Sequence, residues 1–281
     1  MRRRQRDLAL ALTAFIVALI LWQVEALYWL MVPFRLFVTM IHELGHGLAA
    51  ELTGGEFVRF EVTRRGAGLA YTRGGVPFIV IQAGYLGTAL FGAGLLVLVH
   101  RVRQPGHVAV GLGLFLGILS LAYAGLRPTS LSALQVAVVG AAGLAAVYLI
   151  LTRETNDGRL AGAGLAALAG MLFAQFAGDG SLLTVLVGSG SALALVALGL
   201  RAGRDVIRLV LTFLAFLTGL QAISDAWVLL RLVTLPGTLL PLNDASAMAR
   251  QVGGPAAAWA LLWVLSDIAM MGTAIYQTFR Q

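Results

Sequence analysis

The pentad His42-Glu43-Leu44-Gly45-His46 sits in the middle of an apolar run, within "MIHELGHGLAA" at residues 40–50. Two histidines four apart fall on one face of a helix, where both imidazoles can bind a single zinc ion. Glu43 lies beside that face and can take a proton from a metal-held water. Ionisable groups are costly in hydrocarbon, and one cation offsets that cost for all three side chains. With four histidines and six glutamates in 281 residues, random placement yields this pattern in about one such chain in a thousand. The other two histidines, His100 and His107, flank a polar break and read as interfacial residues.

A catalytic zinc takes three protein ligands and keeps its fourth position for water. The chain has no cysteine, so neither a thiolate ligand nor a disulfide is available, and the third ligand is sought among carboxylates. Asp179 and Asp205 fall in turn-like breaks and read as solvated. Asp225, in "GLQAISDAWVLL", lies well inside an apolar run at a depth similar to the two histidines, and it ranks first. Asp244, in "LPLNDASAMA", ranks a close second; at the start of a short helix it also suits the role of N-cap. Asp267, in "VLSDIAMM", lies in the last apolar run, where it would orient a metal-bound histidine.

These residues must be positioned by membrane helices. The composition is 59% hydrophobic and 12% charged, against about 25% charged in a soluble domain. The 34 glycines suit close helix packing in lipid. The net charge of +7 comes from arginines at the ends of apolar runs, so it marks topology and headgroup contact rather than nucleic-acid binding. After "MRRRQRD", the first apolar run is longer than a signal-peptide core and lacks a cleavage site, so an uncleaved first span is expected. A span needs roughly 20 apolar residues. Nine candidates meet that length: 8–30, 33–53, 77–100, 107–125, 129–151, 160–178, 181–200, 206–232 and 255–277. The expected fold is a single all-α polytopic membrane domain over 1–281, with eight to nine transmembrane helices. The motif-bearing part is 30–100, spans with no recognisable motif fill 127–200, and carboxylate-bearing spans occupy 205–281.

One stretch has a different period. In "GEFVRFEVTRRGAGLAYTRGG", residues 55–75, Val58, Phe60 and Val62 alternate with Arg59, Glu61 and Thr63. Period 2 with β-branched and aromatic residues predicts a strand, and "RRGAG" predicts the turn of a β-hairpin directly after the second span. Residues 56–63 are expected to lie at the mouth of the site. Val58, Phe60 and Val62 would then meet substrate, and the strand would offer it an edge for pairing.

"HELGH" in an apolar span, followed by "LTGG", "YTRGG" and "AGYLG" at 83–87, resembles the site-2-protease-like membrane metallopeptidases, most closely their B-like branch. "NDASAMARQVGGPAAAWALLW" is similar to the same branch, so the resemblance covers roughly 30–100 and 205–265. It implies an intramembrane zinc endopeptidase with Glu43 as general base and a membrane-spanning protein as substrate. It also implies an aspartate on a later span as third ligand, and residence in a bilayer, the bacterial inner membrane. The family's Leu-Asp-Gly tripeptide is absent, because Ala245 follows Asp244, and both Asp225 and Asp244 stay open. Asn243, beside Asp244, is expected to support the ligand set. Gly84 and Gly87 would let substrate backbone approach the zinc helix, and Gln82 would donate a hydrogen bond to a developing oxyanion. A pseudoprotease and a metal- or proton-linked transporter are the competing functions. The intact Glu43 favours the enzyme over the first, and the lack of visible inverted repeats weighs against the second.

Overall fold

A computed structural model of the chain describes residues 3–124, 180–235 and 243–280. Helix α1 (Arg3–Gln23) leads through a short 3-10 turn at Glu25–Leu27 into α2 (Tyr28–Leu52). Strands β1 (Glu56–Val62) and β2 (Gly68–Arg73) follow, then α3 (Pro77–Arg101) and α4 (Pro105–Tyr123). The remaining described elements are α5 (Gly180–Arg201), α6 (Arg204–Thr234), α7 (Asp244–Gln251) and α8 (Ala256–Phe279).

Five helices among the described residues are long and apolar enough to cross a membrane: α3, α4, Leu182–Arg201 within α5, α6 and α8. Helices of that length and composition point to an integral membrane protein. Among the described residues the expected eight to nine spans are not all represented. Spans 129–151 and 160–178 lie outside the described residues. The first two expected spans both form helices. α2 is not among the five apolar ones, because the His-Glu motif interrupts its apolar run. The break between them also falls earlier than expected, because Pro33 lies inside α2 rather than at its start. Proline that close to a helix N-terminus forfeits only a single intrahelical hydrogen bond, which surrounding packing can offset.

α3 is the central pillar and packs against α2, α6 and α8. Small residues let it do so. A Cβ at Gly45 of α2 would stand 2.4 Å from the Ala83 carbonyl oxygen. One at Gly92 of α3 would stand 2.8 Å from the Ala215 carbonyl oxygen of α6. Helices in lipid gain mostly by such close van der Waals contact, since apolar surface is already satisfied by the acyl chains. Pro77 and Pro105 sit in the first turns of α3 and α4, where a missing N–H costs nothing. α1 lies on α6, and α4 packs on α5, which also touches β1.

The hairpin is antiparallel, with Phe60 opposite Ala70 and Glu61 opposite Leu69. Its turn is closed by Thr63 N–H to the Ala67 carbonyl at 2.7 Å and passes through Gly66 at φ +82°, a left-handed position that glycine reaches without strain. The Thr39 hydroxyl donates to the Gly66 carbonyl at 2.8 Å and pins that turn to α2 one helical turn before Glu43. The expected alternation fails at one place. A bulge between Phe57 and Arg59 leaves Val58 unpaired and exposed, so the buried face is Phe57, Phe60 and Val62. Phe57 covers Gly47 of α2 and stacks on Tyr123 with ring centroids 4.2 Å apart.

Candidate metal centre

α2 presents His42 and His46 on one face, with Nε2 atoms 3.2 Å apart. Asp244, the first residue of α7, brings Oδ2 to 3.5 Å from His42 Nε2 and 3.6 Å from His46 Nε2. Zinc bonds of about 2.0–2.2 Å at tetrahedral angles put ligand atoms about 3.3–3.6 Å from one another. The three atoms therefore surround a point at the right distance for that ion, and among the described residues they form the one such cluster.

Each of the three side chains is flanked by a neighbouring group. His46 Nδ1 lies 2.8 Å from the Val80 carbonyl of α3; an N–H donated there leaves Nε2 as a lone pair for a metal. His42 is flanked edge-on by the Tyr85 ring at 4.7 Å. Asp244 is released by its neighbour. Asn243 is the N-cap of α7, its Oδ1 accepting the Ser246 N–H at 2.9 Å, so the Asp244 carboxylate is free to turn to the imidazoles. Burial disfavours that carboxylate, but the two imidazoles beside it outweigh the burial and hold its carboxyl below the usual range.

Gly84 supplies the space. A Cβ there would lie 2.4 Å from His46 Nε2 and 2.5 Å from His42 Nε2, where an ion would sit. The residues thus fit a zinc ion, with two imidazoles, one carboxylate and a cradle that any side chain on α3 would fill.

Glu43 is buried beside this cluster, with its carboxylate against the backbone of β2. That approach follows from the pairing pattern. Ala67 turns its carbonyl toward β1, so Gly68 and Ala70 turn their backbone groups outward, toward α2. A Cβ at Gly68 would collide with Glu43 Oε1 at 2.3 Å, so strand and glutamate are in direct contact.

Several expected roles change. The strand at the site is β2. The outer edge of β1 is consumed, with Phe57 N–H donating to Glu51 and Val62 N–H to Thr184, both at 2.8 Å. Phe60 and Val62 are fully buried in the core and Val58 faces outward, so none of the three lines the cleft. Asp225 is not in the ligand cluster; it accepts from Gln221 Nε2 at 2.7 Å and lines a cleft of about 300 Å³ that opens onto His42. Asp267 does not orient a histidine. His46 uses the Val80 carbonyl, and both Asp267 oxygens are buried in α8 without a hydrogen-bond partner among the described residues. Gly87 meets Gly45 Cα at 3.7 Å and serves the helix crossing. Gln82 does not line the cleft. Sequence reasoning missed Tyr85, the Val80 carbonyl and the backbone of β2 against Glu43. Two of these are backbone groups without a residue signature, and the third stood unremarked beside Gly84.

Two imidazoles and a carboxylate within reach of one another in a membrane helix bundle form a group that could hold a metal ion, with a further acid at hand. The chain belongs to the Peptidase M50B-like family, whose model matches residues 11–157, just over half of its length. M50 peptidases are zinc metallopeptidases. The matched stretch holds the pentad, the hairpin and α3, and Asp244 lies beyond it. No curated protein and no solved structure matches the chain.

Proposed function

We propose that this protein is an intramembrane zinc endopeptidase, resident in the bacterial inner membrane, that cleaves membrane-spanning proteins within or beside the bilayer. The observation that carries this reading is the spacing of 3.2, 3.5 and 3.6 Å among His42 Nε2, His46 Nε2 and Asp244 Oδ2, with Glu43 against them. His42, His46 and Asp244 would hold the ion, which when bound supplies Lewis-acid activation of water and of a peptide carbonyl.

The chain's own groups do the rest. Glu43 takes a proton from the attacking water and returns it to the leaving amine nitrogen. A helical substrate hides its carbonyls in i→i−4 bonds, so it must be drawn out before attack. The outward-facing backbone of β2 next to Glu43 offers an edge on which an extended segment can pair. Asp225 and Asn243 make the cleft wall polar, which favours water entry at membrane depth.

Single-span membrane proteins co-expressed with the wild type should include one that gives a cleavage product. Glu43→Gln should remove that product while zinc content stays unchanged, because Gln keeps the shape but cannot accept the proton. Loss of zinc in Glu43→Gln would make Glu43 a ligand and the site structural or transport-related. A broad panel left uncut by the wild type would favour a pseudoprotease.

A further inference from the structure

Peptide hydrolysis puts negative charge on the scissile carbonyl oxygen, and a preorganised donor aimed there is among the largest contributions a site can make. Besides His42, four residues on the cleft wall carry a side-chain donor: Thr39, Tyr85, Thr88 and Asn243. Two are occupied. Thr39 donates to the Gly66 carbonyl at 2.8 Å, and Thr88 donates to the Gly84 carbonyl at 2.6 Å. Asn243 spends its amide oxygen on the helix cap; its Nδ2 has no hydrogen-bond partner among the described residues, but it is buried with no accessible surface for a substrate oxygen to approach. Tyr85 remains. Its hydroxyl has no hydrogen-bond partner among the described residues, and its ring forms part of the cleft wall beside His42.

The ring is also fixed. It stacks on Trp263 of α8 with centroids 5.0 Å apart and planes at 12°, and it meets His42 edge-on at 89°. Two aromatic contacts on different sides leave little rotamer freedom, so the hydroxyl is held rather than sampled. Tyr85 also follows directly on Gly84, the residue whose missing side chain makes room at the ligand atoms, so one turn of α3 supplies both the space and the donor.

We infer that Tyr85 is a catalytic residue, its phenolic O–H donating a hydrogen bond to the scissile carbonyl oxygen as the tetrahedral carbon forms. The inference rests on the peptidase reading above. Water oxygen bonds to the carbonyl carbon as Glu43 takes its proton, and the carbonyl π pair moves onto oxygen, where Tyr85 donates. The pair then re-forms the carbonyl, the C–N bond breaks with its electrons on nitrogen, and Glu43 hands that nitrogen the proton. Tyr85 keeps its own proton throughout, as a phenol does at neutral pH.

The test uses purified full-length protein and Tyr85→Phe, which keeps the ring between Trp263 and His42 and removes only the hydroxyl. A phosphinic peptide, whose tetrahedral phosphorus bears two oxygens sharing one negative charge and so imitates the tetrahedral carbon, is the probe. Its binding is measured by titration calorimetry alongside zinc content. The expected result is phosphinate affinity lower by roughly 10- to 100-fold in Tyr85→Phe, with zinc unchanged. Equal affinity with zinc intact would overturn the role of Tyr85 and leave the peptidase reading standing. Loss of zinc in Tyr85→Phe would also overturn it, since Tyr85 would then serve to position His42. A wild type that holds no zinc, or holds zinc but ignores the phosphinate, would overturn the peptidase reading and the role of Tyr85 with it.

Discussion

Asp244 faces the imidazoles because a different residue caps its helix. Asn243 satisfies the Ser246 N–H, and the next side chain along is left to the metal site. From sequence, Asp244 and Asp225 compete on nearly equal terms, since both are acids on late segments of the chain. Asx capping is a common use of aspartate, and only the backbone angle at Asn243, φ −143° and ψ 170°, shows which of two adjacent capping residues takes the job. The pentad was legible because its chemistry is carried by side chains at a fixed helical spacing. The groups that orient it, the Val80 carbonyl and the backbone of β2 against Glu43, carry no such mark. The two aspartates make opposite predictions. Asp244→Ala should lower zinc affinity by more than about 100-fold, above the loss usual for groups that merely support a ligand. Asp225→Ala should leave zinc affinity within about threefold of the wild type. Zinc titration of both variants against a competing chelator checks the pair, and the reverse ranking would move the third ligand to α6.

At the scale of elements, the site is a crossing of α2 and α3 with a hairpin laid over it. The hairpin was legible from its period of two. Its working strand was not, because the bulge at Val58 changes which side chains are buried, and the outer edge of β1 is taken by Glu51 and Thr184. Residues from distant parts of the chain decide that, and no local pattern records it. The glycines of α3 are likewise equivalent in sequence and distinct in space. A Cβ at Gly84 would enter the metal cradle, whereas one at Gly87 would meet Gly45 Cα at an ordinary 3.7 Å. Gly84→Ala should therefore lose zinc with the helices still assembled. Gly87→Ala should keep zinc and change stability by less than about 1 kcal/mol. Zinc content and thermal melting in detergent, measured on both variants, separate the two outcomes. Equal zinc loss in both would mean that the crossing distance, rather than the cradle, governs the site.

For the whole molecule, the bundle is closed at one end by charge. Arg208 of α6 is 5% exposed and reaches Asp7 of α1 at 3.2 Å, while the neighbouring pair Arg6–Asp205 at 3.4 Å is about half exposed. Removing one partner of a buried pair strands a charge and costs about 3–5 kcal/mol, whereas an exposed pair contributes about 0–1 kcal/mol. Asp7→Asn should accordingly lower the melting temperature clearly and Asp205→Asn hardly at all; similar melting of the two would show that Arg208 is hydrated. A membrane protein was legible from composition alone. α2 is a helix that falls outside the five apolar ones, because the residues that do chemistry dilute its apolar character. The central claim is that one zinc ion sits between α2 and α7. X-ray absorption at the zinc edge of gently purified protein tests it most directly. The expected spectrum shows about two imidazoles and one or two oxygens near 2.0–2.2 Å. Zinc-free protein, or zinc in an all-oxygen shell without imidazole, would contradict it.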